Sequence, residues 1–156
     1  MAKIAIESFY PFKSGLVWDA LTHPEALGMW LMKNDFQPKV GHKFQFRAKP
    51  QGSWDGIVNC EVLQCDKPRI LAYSWAGGGH TTEVTWRLEE TADGTKVYLH
   101  HTGFKGVGGF ILSKLILTAG WKKMLRKLLP KVLGHMQKNG TTFDTIEADL
   151  RLKDCH

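Results

Sequence analysis

A chain of 156 residues suits one domain with room for a sizeable core, and at 43% hydrophobic and 11% aromatic it is too apolar for a disordered tail. No run of eighteen apolar residues occurs, which excludes a predicted membrane-spanning helix. Cys60, Cys65 and Cys155 lack the short spacings of metal or redox pairs and fit a reducing compartment; the net charge of +6 is concentrated late in the chain.

Lys3 to Phe9 alternates with period two and predicts a strand. MAKIAIES lacks the long apolar stretch of a signal peptide, so a cytoplasmic location is expected. Ser14 is a candidate cap for a helix carrying Leu16, Val17, Ala20 and Leu21. Thr22-His23-Pro24-Glu25 then starts a second short helix, because proline suits a first turn and an acid suits the positive end of the helix dipole. Leu27, Trp30 and Leu31 share one face of it.

From Gly41 to Phe104 the period is two almost throughout. Inward sets are predicted at Phe44/Phe46, Val58/Cys60/Val62, Leu71/Tyr73/Trp75, Val84/Trp86/Leu88 and Val97/Leu99/His101. Turns fall at 50–53, Asp66-Lys67-Pro68, Gly77-Gly78-Gly79 and Ala92-Asp93-Gly94-Thr95. His80 reads as a loop residue after the glycines, His100 as outward and solvated, and Glu89-Glu90 as a solvated rim. The short connections predict an antiparallel meander of about six strands, roughly seven with the N-terminal one.

Gly106 to Gly109 reads as a loop, and ILSKLILT (111–118) as an apolar insert: a candidate lid, a piece of core or a dimer contact. Trp121, Met124, Leu125, Leu128, Leu129, Val132 and Met136 then follow steps of three and four, an amphipathic helix that Pro130 should kink or divide. Gly134, His135 and Gly140 should soften its far end. Lys114, Lys122, Lys123, Arg126, Lys127, Lys131 and Lys138 fall between Phe110 and Asn139 with no acid among them. That face could serve an acidic partner, a membrane surface or nucleic acid, or be simply solvated; lacking interleaved aromatics it does not support single-strand stacking, so an acidic protein partner is expected, with no nucleic acid and no stable membrane insertion.

The predicted class is α+β: one domain over 1–140 with a tail over 141–156, its curved antiparallel sheet wrapped around a long C-terminal helix. Curvature leaves space between helix and sheet, and the bulky rings narrow it. From periodicity alone the same rings would also fill a solid core.

The segments VWDALTHPEALGMWL, FQPKVGHKFQF, PRILAYSW, VTWRLEE, GTKVYLHHTGF and Gly120-Trp121, in this order, resemble the activator-of-heat-shock-protein-ninety-ATPase-like family. That family sits in the START and birch-pollen-allergen-like superfamily, whose helix-grip fold the resemblance implies. It also implies a cavity between sheet and helix. Superfamily members include lipid and polyketide binders, aromatic cyclases and co-chaperones, so the ligand stays unnamed.

The expected lining is Trp30, Phe44, Trp75, Trp86, His101, Phe104, Trp121 and Leu125, and the expected function is non-catalytic binding of an aromatic or lipid-like small molecule. The alternatives are a cyclase or hydrolase using His101 as acid or base, and a co-chaperone-like protein-binding module. No HExxH, GxSxG, phosphate-binding loop or dinucleotide fingerprint occurs, so neither metal nor cofactor is expected.

Overall fold

The computed structural model describes residues 3–52 and 54–140. The proposed tail, Cys155 and one residue of the 50–53 turn lie outside the described residues.

The strands are β1 (Ile4–Tyr10), β2 (Lys33–Asn34), β3 (Lys43–Arg47), β4 (Ile57–Asp66), β5 (Ile70–Gly77), β6 (His80–Glu90) and β7 (Thr95–Thr102). They form one antiparallel sheet ordered β1-β7-β6-β5-β4-β3-β2. The meander therefore runs from β2 to β7, and β1 returns to pair with β7, from Ile4 opposite His101 to Tyr10 opposite Thr95. The two short helices, α1 (Ser14–Thr22) and α2 (Pro24–Trp30), lie between β1 and β2 as expected. All five inward sets are buried, because side chains alternate across a pleated strand and one face must be covered.

The β5–β6 connection is tighter than a flexible tip. Gly77 pairs with His80, and Gly78 and Gly79 have φ of 61° and 81°. Positive φ at both central residues is what a two-residue hairpin needs to match strand twist. His80 is thus the first residue of β6 and half-buried, not a loop residue.

Ser14 does not cap α1; it is the first helical residue. The capping oxygen comes from Glu90 at the end of β6, which accepts from the Ser14 amide at 3.3 Å and its hydroxyl at 3.0 Å. A carboxylate there satisfies an orphan donor and faces the positive helix end. The expected solvated rim therefore holds a long-range cap.

Residues 106–139 form one continuous helical rod with two wide turns. It comprises α3 (Gly106–Ile111), a π-helical segment (Leu112–Leu117), α4 (Thr118–Lys123), a second π-helical segment (Met124–Leu128) and α5 (Leu129–Asn139). Gly106 to Gly109 is its first turn and not a loop. A side chain at Gly109 would meet the Phe104 backbone at 3.0 Å, so glycine there permits the close fold-back. The 111–118 insert is likewise part of the rod. Nor does Gly134 or His135 soften the far end: α5 runs on to Asn139, with His135 and Met136 buried, and stops at Gly140 with φ 64°.

Pro130 neither breaks nor divides the rod. The preceding turn widens instead, and the Leu129 amide bonds the carbonyl of Met124, five residues back. In that register the Leu125 carbonyl would look to residue 130, which is proline and has no N–H. The Tyr10 hydroxyl donates to it at 2.6 Å. One tyrosine thus repairs the gap and ties β1 to the helix; burial pushes its own pKa far up. Tyr10→Phe is expected to cost about 1–3 kcal/mol, the price of an unsatisfied buried acceptor, read as a shift in the urea midpoint at unchanged m-value.

Candidate functional site

The inner face of the sheet and the buried face of the rod meet in a run of aromatic rings. Trp30 packs edge-on to Trp86 with centroids 5.8 Å apart, and Trp86 edge-on to Trp121 at 5.5 Å. Trp121 leans on Trp75 at 5.4 Å, and Trp75 on Phe46 at 5.4 Å. Phe46 continues to Phe44 at 5.3 Å, and Tyr73 and Phe36 complete this end. At the other end His101 lies 4.7 Å from Phe104 and 5.4 Å from Trp75. Edge-to-face geometry dominates, as the ring quadrupole prefers.

The structure therefore brings together seven of the eight expected residues through ring contacts. Phe44 joins by way of Phe46, while Leu125 is buried on the same rod and engages Tyr10 through its carbonyl. Three further residues belong to the group. Phe46 and Tyr73 carry the right strand parity, so their signal was available. Phe36 lies in an irregular stretch between β2 and β3 where no period operates.

His101 is the polar centre. The Trp121 indole N–H, which can only donate, reaches its Nδ1 at 3.1 Å. Nδ1 must therefore present a lone pair, and the ring proton sits on Nε2. That nitrogen donates to the Thr82 hydroxyl at 2.7 Å, and Thr82 donates onward to the Trp75 carbonyl at 3.0 Å. The chain Trp121–His101–Thr82–Trp75 is directional, fully buried and joins rod to sheet. Burial lowers the His101 pKa from 6.5 to about 4. A neutral imidazole whose lone pair is already taken, and which is so weak a base, is not poised for acid–base work. The geometry makes His101 a strut between rod and sheet. Thr82 was missed, although it shares the inward parity of Val84 and Trp86.

The other indoles are mostly committed. Trp30 donates to the Ala20 carbonyl at 2.8 Å and Trp86 to the Tyr73 hydroxyl at 2.9 Å. Among the described residues none accepts the Trp75 indole N–H, which lies at the edge of the run and is not sealed from solvent. Burial also raises the thiol pKa of Cys60 and of Cys65, so neither is an activated nucleophile. His100 is exposed, as expected. No group of three or more His, Cys, Asp or Glu among the described residues could hold a metal ion.

A seven-stranded curved antiparallel sheet closed by a long C-terminal helix, with two short helices after the first strand, is the helix-grip fold. A family model described as activator of Hsp90 ATPase homolog 1-like protein matches residues 12–134, and the chain belongs to that family. It is similar to a solved protein from Mesorhizobium loti at 27% identity, covering 86% of this chain and 98% of that one with a TM-score of 0.73. CalU16 from Micromonospora echinospora matches at 26% identity, over 96% of this chain and 87% of its own, with a TM-score of 0.67. The Aha1 dimer from Colwellia psychrerythraea, 19% identical over 91% of this chain and all of that one, shares the fold with a TM-score of 0.68. No match is found among curated proteins.

Proposed function

We propose that the protein binds an aromatic or lipid-like small molecule between the sheet and the C-terminal helix without transforming it. The observation that carries this reading is the aromatic wall between sheet and rod, with an indole donor at its edge that no described residue engages. Trp75 touches Phe46, His101 and Trp121, and no described residue accepts from its indole N–H. A donor without a protein partner at the edge of an apolar wall suits a ligand that brings an acceptor. The best ligand is largely apolar with one carbonyl, carboxylate or phenol oxygen. The family fold supports the location, because it places a helix over a concave sheet.

The test uses anilinonaphthalenesulfonate as a fluorescent apolar probe, with fatty acids, sterols and flavonoid-like aromatics as competitors. Saturable binding with energy transfer from tryptophan is expected, reversed by one competitor class. Trp75→Phe should weaken that competitor about tenfold, the worth of one hydrogen bond near 1.4 kcal/mol. Absence of saturable probe binding by the folded protein would overturn the reading.

A further inference from the structure

The outer side of the helical rod has an unusual pairing of properties. Val107, Ile111 and Ile116 are 78%, 44% and 57% exposed, and they fall within ten residues near its start. Among the described residues the other exposed large hydrophobics, Phe9, Val40 and Leu63, are scattered. Val107 and Ile111 are one turn apart on one face, and Ile116 follows about one wider turn on, in the π-helical segment. Further along the same rod Lys122, Lys123, Arg126 and Lys127 are exposed. No acid occurs anywhere between Asp93 and Asp144.

From this pairing we infer that the outer side of the rod docks reversibly on an anionic lipid bilayer, Val107, Ile111 and Ile116 entering the acyl boundary while Lys122, Lys123, Arg126 and Lys127 meet the headgroups. Interfacial binding scales with buried apolar area plus attraction between basic side chains and anionic lipid, and this ridge offers both. Lysine stems can lie along the acyl boundary while the ammonium reaches the phosphates. The docking is adsorption and not spanning, since no helix among the described residues is long and apolar enough to cross a membrane.

Other occupants fit less well. A second copy joined through the aliphatic side chains would leave the lysines unanswered. An acidic protein would answer the lysines but gives no reason for three exposed aliphatic side chains on the same rod. A fluid bilayer adapts to a ridge and satisfies both. The inference is independent of the interior ligand, and its failure would leave that reading intact.

The experiment is co-sedimentation of the full chain with vesicles of mixed phosphatidylglycerol and phosphatidylcholine, and with phosphatidylcholine alone. Binding is expected only to the mixed vesicles, weakening as salt is raised. Reversal of Lys122, Lys123 and Lys127 to glutamate should lower the partition coefficient at least about a hundredfold, at about fivefold per basic group lost and more for each carboxylate gained. Changing Val107, Ile111 and Ile116 to serine should lower it at least about tenfold. All six side chains are exposed, so both variants should keep the parent melting profile. Failure of the parent to bind mixed vesicles would overturn the inference. So would loss of binding on charge reversal alone, which would mark a site for an acidic macromolecule. Conversion of a dimer to a monomer by the serine variant, without loss of vesicle binding, would mark a self-association face and overturn it equally.

Discussion

Stability should fall by about 3 kcal/mol between pH 6.5 and pH 4 through His101 alone. Its pKa is lowered from 6.5 to about 4 in the folded state because burial disfavours the imidazolium. The unfolded chain therefore binds the proton first. Between the two values it holds more protons than the folded chain, so stability rises with pH across that window and falls as the pH is lowered. The contribution is fully present above about pH 6.5 and is lost progressively down to about pH 4. About 2.5 pH units at about 1.4 kcal/mol each set a limit of about 3.5 kcal/mol, and half-titration at each end of the window brings the fall within it to about 3 kcal/mol. The structural cost of protonation is specific: a proton on Nδ1 would confront the Trp121 indole N–H, donor against donor. Urea midpoints for the parent and His101→Gln across pH 4 to 7 make the comparison. The variant should be weaker at pH 7 but nearly flat over the window, other titrating groups being common to both. Parallel curves would show that His101 is not the buried neutral strut described above.

Trp86→Ala should cost about 3–5 kcal/mol, the range for deleting a large buried aromatic. Trp86 is fully buried and central to the run of rings, touching Trp30 and Trp121 edge-on and donating to Tyr73. Its removal leaves a cavity at the meeting point of sheet, α2 and rod, and strips Tyr73 of its donor. A natural domain holds only about 5–15 kcal/mol in total, so this variant should sit near the edge of folding. Trp86→Phe keeps most of the ring area and should lose about 1–3 kcal/mol less than the alanine variant. Equal losses for the two variants would mean that area matters little there and the hydrogen bond dominates.

The legible and illegible parts of this protein divide by the range of the interaction. Strand parity placed Trp75, Trp86 and His101 on one inner face, because alternation is a local property of the chain. Helical spacing placed Trp121 and Leu125 opposite them for the same reason. The resemblance to the family supplied the way these faces meet, and the match over residues 12–134 bears it out. Three features could not be read. Glu90 capping Ser14 spans 76 positions, and Tyr10 reaching Leu125 spans 115. Nothing local in either residue marks its partner. The π-turn before Pro130 accommodates the missing proline donor within a continuous rod while Leu128 and Leu129 stay buried, and a proline rule alone does not predict that wider turn. The glycines at 106–109 show the opposite error. They read as a loop, yet they form the first turn of the rod, and Gly109 is required by a close approach to Phe104.

The interior binding site is tested most directly by two-dimensional NMR of the folded protein, following backbone amides and indole N–H signals while fatty acids, sterols and flavonoid-like aromatics are titrated class by class. Binding between sheet and helix requires one class to move Trp75, Trp86, His101 and Trp121 together, with the Trp75 indole proton moving furthest as it gains an acceptor. A well-dispersed spectrum in which no class moves those signals would contradict it, and would make the run of rings a closed core.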